Sequence, residues 1–498
     1  MARPSLEYEP RSPGKSVLYQ IVRDHVETFR AQAATLRDGE GLPRFVEHAF
    51  RRLLACGWLA GGFARLRCRD CGLERFLAFS CKGRLCPSCG GRRMTERAAH
   101  LVDHVFPDVP VRQWVLSLPY RLRYQLAWDH DLCRAVAGVL MRAVDRVLRA
   151  RSRDEGVEEG RGGGITVIQR SGGAANLNLH IHAIVLDGVF ARDAAGTLRF
   201  HRTPELTTLD AEEVLATVEP LVARRLQRLG LGPDDGEMDV PDAWGDEAPV
   251  LAGLAAASIQ GTVALGPRRG ARLRRLGDET EPVQTPDPGA CHAQANGFDL
   301  HAGVVVPAGQ RERLERVVRY VLRPPVAQER LHLTGDGQVR LDLRHPWRDG
   351  TTGVVFDAVE FLARLAVLVP RPRINLLLYH GVIGARSAWR AEVVPHQMPI
   401  DGAEASVCET ETPPPHEAVE AESVPRRAPG PSWSSLMART FGFDVLACGR
   451  CGGRLRLIAL IEEAAVIGKI LRHLGLPTDI PAPRPARAPP LDAALPTP

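Results

Sequence analysis

The chain has 498 residues, 44% of them hydrophobic and 25% charged, an ordinary globular composition with room for two to four domains. That composition excludes a wholly disordered chain, and no apolar run nears the length of a membrane helix, since "FLARLAVLVP" is short and interrupted by Arg364. The net charge of +5 leans toward an anionic partner, but only Lys15, Lys82 and Lys469 are lysines; a GC-rich genome accounts for that bias, so arginine count alone carries little weight. The first twenty residues lack an apolar stretch followed by a small-residue cleavage site. The expectation is a soluble, cytoplasmic protein, in which clustered cysteines indicate metal sooner than disulfides.

Residues 16–64 carry apolar positions at three- and four-residue spacing and predict helices. A cysteine-rich, glycine-punctuated stretch follows at 65–92. "VRQWVLSLP" (111–119) predicts a strand, and Leu132, Val136, Val139, Leu140, Val144 and Val147 mark one face of a helix. "ITVIQR" and "NLNLHIHAIVLDG" predict a hairpin over 165–187. Residues 191–297 are less regular, with a basic patch "RRGARLRR" at 268–275, and predict an insertion or arm. Order returns with the strand "FDLHAGVVVP", a helix over 308–322 stopped by Pro324 and Pro325, two short strands near 331–343, a helix around 355–367 and the strand "INLLLYHG". The close hairpin favours an antiparallel α+β sheet over a doubly wound parallel one. Residues 393–431 predict a disordered Pro/Glu-rich linker, 432–478 a small Cys-x-x-Cys unit and 479–498 a disordered tail.

"CRDCG" begins at Cys68, "CPSCG" at Cys86 and "CGRCG" at Cys448. Each such turn offers two thiolates to one metal, the glycine allowing the tight turn behind them. Cys68, Cys71, Cys86 and Cys89 have the spacing of a two-knuckle zinc site, with Cys81 a fifth candidate. Cys448 and Cys451 have no nearby partner pair, and two thiolates do not close a structural site. They are either a degenerate knuckle or half of a site completed elsewhere.

Strand alternation sends His180 and His182 to one face. A metal would satisfy two imidazoles on a buried strand; a structural pair without metal is the alternative. A third ligand would come from Gln169 on the preceding strand, with His301 its rival. Such a metal acts as a Lewis acid on a phosphoryl or carbonyl oxygen and still needs a nucleophile. Tyr320 shares a polar helix face with Arg313, Arg316 and Arg323, where guanidinium favours a phenolate and binds phosphate.

A histidine-hydrophobic-histidine strand followed by a tyrosine-bearing helix resembles the HUH endonucleases, single-strand nickases of rolling-circle replication, conjugation and transposition. The blocks "CRDCGLERFLAFSCKGRLCPSCGGRRM", "VRQWVLSLP", "NLNLHIHAIVLDGVF", "RYVLRPPVAQERL", "LLLYHGVIGARSAWR" and "CGRCGGRLRLIALI" together resemble the rolling-circle transposases of the insertion sequence 91 family. The resemblance implies an antiparallel HUH core over 109–392 behind a zinc- and DNA-binding domain over 16–108. It also implies a DNA transposase that nicks one strand, keeps a 5′-phosphotyrosine and later rejoins strands without ATP. His180 and His182 would hold Mg²⁺ or Mn²⁺, Tyr320 would be the nucleophile, and the knuckles would hold structural Zn²⁺. The partner would be DNA, single-stranded at the element ends and target, with no membrane. Arg92, Arg93, Arg313, Arg316 and Arg323 are the candidate phosphate contacts.

Some family members carry a second tyrosine four residues earlier on this helix, where this chain has Arg316. Tyr120 and Tyr124, and then Tyr379, are the rival nucleophiles. A catalytically dead zinc-dependent DNA-binding protein, and a replication initiator or relaxase with the same chemistry, are the alternative functions.

Overall fold

The computed structural model describes residues 12–36, 40–231, 242–277, 291–394, 433–441 and 444–487; nearly all of the predicted linker and the end of the predicted tail lie outside them. Helices α1 (Val17–Ala34) and α2 (Arg44–Ala55) lead to the hairpin β1 (Phe63–Cys68) and β2 (Glu74–Ala78), then to α3 (Pro87–His104). Strand β3 (Val111–Ser117), α4 (Tyr120–Trp128) and α5 (His130–Asp154) precede β4 (Gly163–Ser171) and β5 (Leu177–Leu186). The hairpin β6 (Gly188–Arg192) and β7 (Leu198–Arg202) is followed by α6 (Thr208–Gln227), α7 (Ala243–Glu247), α8 (Pro249–Gln260) and β8 (Arg274–Leu276). Next come β9 (His292–Ala295), β10 (Phe298–Val306), α9 (Arg311–Leu322), β11 (Leu331–Leu333), β12 (Val339–Asp342), β13 (Gly353–Phe356), α10 (Ala358–Leu368), β14 (Leu377–Gly381) and α11 (Arg390–Val393). Helix α12 (Trp433–Phe441), β15 (Leu455–Ile461) and α13 (Ala464–His473) complete the described elements.

The architecture is α+β. Its centre is an antiparallel sheet in the order β14-β4-β5-β3-β10-β9. Helices cover both faces, so β4 and β5 read as nearly continuous apolar runs, and every residue of β4 is buried. One face joins the large core through Leu179, Ile181, Ala183, Trp114, Leu116 and Leu300, packed with the buried sides of α4, α5, α6, α8 and α10. The other face, through Ile165, Val167 and Ile184, packs on Val318 and Val321 of α9 and on Ala98, Leu101 and Val102 of α3.

Two expectations meet a different structure. The stretch 191–297, read as an insertion or arm, places Ala211, Val214, Leu215 and Val218 of α6 and Leu251, Leu254 and Ala255 of α8 in the main core. Irregular composition between helices hid their apolar faces. Residues 479–487, read as disordered tail, run along α1, where the Arg484 N–H donates to the Arg23 carbonyl and the Arg487 N–H to Thr28 Oγ1.

Local chemistry fixes the long helices. The Asp129 carboxylate caps α5 by accepting from the Leu132 N–H at 2.8 Å. Thr207 and Asp210 close a capping box on α6, and Arg151 of α5 pairs with Asp210 at 2.7 Å.

One buried ion pair ties the sheet together. Arg112 of β3 donates to Asp187 Oδ1 at 2.7 Å and to the Ala302 carbonyl of β10 at 2.9 Å, with both charged side chains 5% exposed or less. Losing one partner strands a buried charge. Asp187→Ala should therefore lower stability by about 3–5 kcal/mol, and Arg112→Met in that background should recover much of it. The urea midpoints of the three proteins check this.

Candidate functional site: the histidine sheet and the cysteine tetrads

Register places the site residues before any side chain is considered. Gln169 of β4 and Ser117 of β3 lie opposite His180 of β5, while Val167 and Val115 lie opposite His182. His301 of β10 lies opposite Val115, one strand further from the pair. All therefore share one sheet face. The β10 register breaks between His301 and Val304, at the edge of the same cleft.

The imidazoles sit close, with ring centroids 4.9 Å apart. His180 Nδ1 lies 2.8 Å from the Asn178 carbonyl; an Nδ1–H donated there leaves Nε2 with a free lone pair. His182 is bracketed by two amides, Gln113 Nε2 3.0 Å from Nδ1 and Gln169 Oε1 3.3 Å from Nε2. Burial pushes the His182 pKa down to about 3, with His180 and Arg323 adding to the shift. His180 is lowered too, chiefly by burial, while its bond to Asn178 opposes the shift. Both rings are thus neutral at physiological pH, the form that binds metal.

Gln169 has a second role. The Val321 carbonyl would ordinarily accept from the residue four further on, which is Pro325 and has no N–H. The Gln169 amide donates to it instead, at 2.9 Å. One side chain thus joins the end of α9 to the histidine strand.

Leu314, Val318 and Val321 bury one side of α9, leaving Arg313, Arg316, Val317 and Tyr320 as a stripe along a cleft of about 620 Å³ that also contains His180 and His182. The Tyr320 ring meets the His182 ring edge-on at 6.0 Å between centroids. Arg323 stacks over Tyr320 at 4.3 Å and Arg344 lies 5.5 Å from its centroid. Arg93 and Arg323 line a narrower cavity of about 230 Å³, and Arg92 is exposed on α3.

The rival tyrosines do not line this cleft. Tyr124 donates to the Asp242 carboxylate and stacks on Trp244. Tyr120 is exposed beside Arg123, and Tyr379 pairs with Ile165 across β14 and β4. Sequence reasoning missed Gln113, Asn178 and Arg344. Asn178 precedes His180 by two residues, so alternation alone could have placed it on the same face; its buried Oδ1 has no partner and lines the cleft. Gln113 showed as a polar residue inside an apolar strand. Nothing in the sequence links Arg344 to the site.

The cysteines assemble differently from the two-knuckle expectation. Cys81, Cys86 and Cys89 join Cys56, at the end of α2, in one buried group. Cys68 and Cys71 join Cys448 and Cys451 in another. The proposed partnership of Cys68 and Cys71 with Cys86 and Cys89 is thus corrected: "CPSCG" opens α3, while "CRDCG" ends β1 and faces the carboxy-terminal knuckle. Cys56 escaped notice because it stands alone at a helix end. In the first group Sγ atoms lie 3.5 Å (Cys56 to Cys89, Cys81 to Cys89) and 3.7 Å (Cys56 to Cys86) apart. A tetrahedral zinc with Zn–S near 2.3 Å requires about 3.8 Å between sulfurs, so these residues fit the ion.

Residues 21–118 match the transposase zinc-binding domain, and residues 163–390 match the family described as "Putative transposase". Both matched families are described as transposases. The transposase for insertion sequence element IS801 from Pseudomonas savastanoi pv. phaseolicola is 21% identical over 443 residues, covering 87% of this chain and 88% of that protein. The chain is thus similar to insertion-sequence transposases in both matched segments and along most of its length. No solved structure matches it. Among the described residues no helix is long and apolar enough to cross a membrane.

The pH response of the fold is set partly by His380 of β14, whose Nε2 lies 2.9 Å from Thr166 Oγ1. Burial lowers its pKa to about 4, with Arg142 adding to the shift; Asp131 and Arg134 share its cleft. The folded value lies below the unfolded one of about 6.5, so protonation favours unfolding. The contribution is intact above pH 6.5 and is lost as pH falls toward 4. The urea midpoint should drop between pH 7 and pH 5, and His380→Gln should drop less.

Proposed function

We propose that this chain is a DNA transposase and that it nicks single-stranded DNA by attack of Tyr320 on the scissile phosphate. His180, His182 and the Gln169 oxygen would hold Mg²⁺ or Mn²⁺. The observation that carries the reading is the Tyr320 ring set edge-on to His182 in a cleft that Arg313 and Arg316 also line. The donor set suits a divalent ion: neutral imidazoles, an amide oxygen already beside His182, and the unpartnered Asn178 Oδ1 nearby. When bound, the ion would polarise a non-bridging phosphoryl oxygen.

The chain's own residues supply the rest. Arg323 and Arg344 lie over the Tyr320 ring, where their guanidinium groups can pair with the phosphate that becomes joined to it. The phenol oxygen forms a bond to phosphorus as the bond from phosphorus to O3′ breaks. The phenol loses one proton and the leaving 3′ oxygen gains one. The product is a 5′-phosphotyrosine and a free 3′-hydroxyl, and a second 3′-hydroxyl reverses the step to rejoin a strand. The phosphoester linkage is conserved in the covalent intermediate, so no ATP is consumed. With its amide turned so that the oxygen accepts from Nδ1–H, Gln113 would hold the His182 ring from behind and leave Nε2 for the metal, a positioning role.

The test uses labelled single strands from DNA flanking the gene, with Mg²⁺ or Mn²⁺. Wild-type protein should give an SDS-resistant adduct that maps to Tyr320. Tyr320→Phe should give none, with DNA affinity within about threefold of wild type, because the hydroxyl acts only as nucleophile. An adduct formed by the Phe variant, or one mapped to Tyr120, Tyr124 or Tyr379, would sink the assignment. Gln113→Ala should weaken Mn²⁺ binding by about 10–100-fold, read by electron paramagnetic resonance without DNA.

A further inference from the structure

Cys448 and Cys451 lie outside the matched domains, yet their sulfurs meet those of Cys68 and Cys71. We propose that these four cysteines bind one zinc ion, and that the ion fastens the carboxy-terminal unit, residues 444–487, to the amino-terminal hairpin. Cys68 Sγ lies 3.6 Å from Cys451 Sγ, and Cys71 Sγ 3.5 Å from Cys448 Sγ. Disulfides require about 2.05 Å; a zinc tetrahedron requires about 3.8 Å. The four atoms all lie within 4.8 Å of one another.

The two turns have the same build. Gly72 and Gly452 each follow the second cysteine with φ of +73°, a left-handed conformation that glycine adopts without strain. In each turn that glycine's N–H donates to the carbonyl of the first cysteine, at 3.1 and 2.9 Å. The first cysteine's N–H donates in turn to the carbonyl five residues on, at 2.8 and 2.7 Å. The Cys86 turn opens a helix instead, which explains why it joins a different group. A Cβ on Gly453 would overlap the Asp70 carboxylate of the opposite turn, so the two turns are in direct contact.

Apolar packing between these parts is slight. Strand β15 pairs with β1 along its length, yet Leu455 is its only buried residue, and Leu457, Ile458 and Leu460 are each more than half exposed. The buried contacts are the small groups Leu66, Cys68, Cys448, Leu455 and Phe63, Ile467, Leu471. Units with so little core need another fastening. Four thiolates select zinc or an iron–sulfur cluster over hard cations, and the sulfur spacing is that of a single ion. Binding releases one proton from each thiol and changes no oxidation state.

The experiment counts zinc in the full-length protein and follows the carboxy-terminal piece. Wild type should carry two zinc ions per chain, and Cys448→Ser/Cys451→Ser should carry one. A protease site placed within residues 395–432 then allows cleavage of the folded protein. In 0.5 M salt, which screens surface ion pairs, the released piece should co-elute with the remainder for wild type and separate for the double variant. Cys451→His, which retains a zinc ligand, should keep both the second zinc and the attachment, distinguishing loss of the ion from loss of the cysteine. Equal zinc counts in wild type and double variant, or a piece that stays attached once the second zinc is gone, would overturn the proposal.

Discussion

Two neighbouring imidazoles, His182 buried and His180 half-buried, in a sheet covered on both sides set the terms for the rest of the site. A buried imidazolium would need a counter-charge, and the strands beside β5 supply none. The neighbours opposite the histidines are Gln169, Ser117, Val167 and Val115. The rings therefore stay neutral, and their polarity is met by amides and a backbone carbonyl. A neutral imidazole can become a ligand by moving its proton from one ring nitrogen to the other, with no net loss of a proton.

Helix α9 is held at each end by means its sequence makes necessary. At its start Arg311 donates to the carbonyls of Phe106 and Pro107, beyond α3. At its end the two prolines leave carbonyls without helical partners, and Gln169 takes one. Outside, Glu315 pairs with Arg319 and with Arg439 of α12. The helix bearing Tyr320 is thus referenced to the sheet, to the zinc-binding region and to the carboxy-terminal segment. The exposed stripe facing the cleft is what remains once those sides are occupied.

The core of this arrangement was legible in the sequence because its signals are local. Strand alternation put His180 and His182 on one face, the hairpin brought Gln169 opposite, and helical spacing separated Tyr320 from Leu314, Val318 and Val321. What was not legible depends on chain segments far apart. The partner of the Cys68 turn is 377 residues away from Cys71, and no spacing rule spans that distance. Cys56 lacks a second cysteine in its turn, so it carried no motif. Within 191–297 the stretch that forms α6 reads as helical, but its place in the main core did not show, because the segments around it are polar and rich in proline and glycine.

The pairing of β1 with β15 also has a consequence in time. During synthesis at roughly 5–20 residues per second, the 377 residues from Cys71 to Cys448 take roughly 20–75 s to appear. Through that interval the nascent chain displays an open strand edge and two thiols still awaiting their partners, a state prone to pairing with other chains. A polypeptide terminated early never leaves it. Closure of the first sheet is thus a property of finished molecules alone, and a broken message yields a protein marked from its own beginning as incomplete.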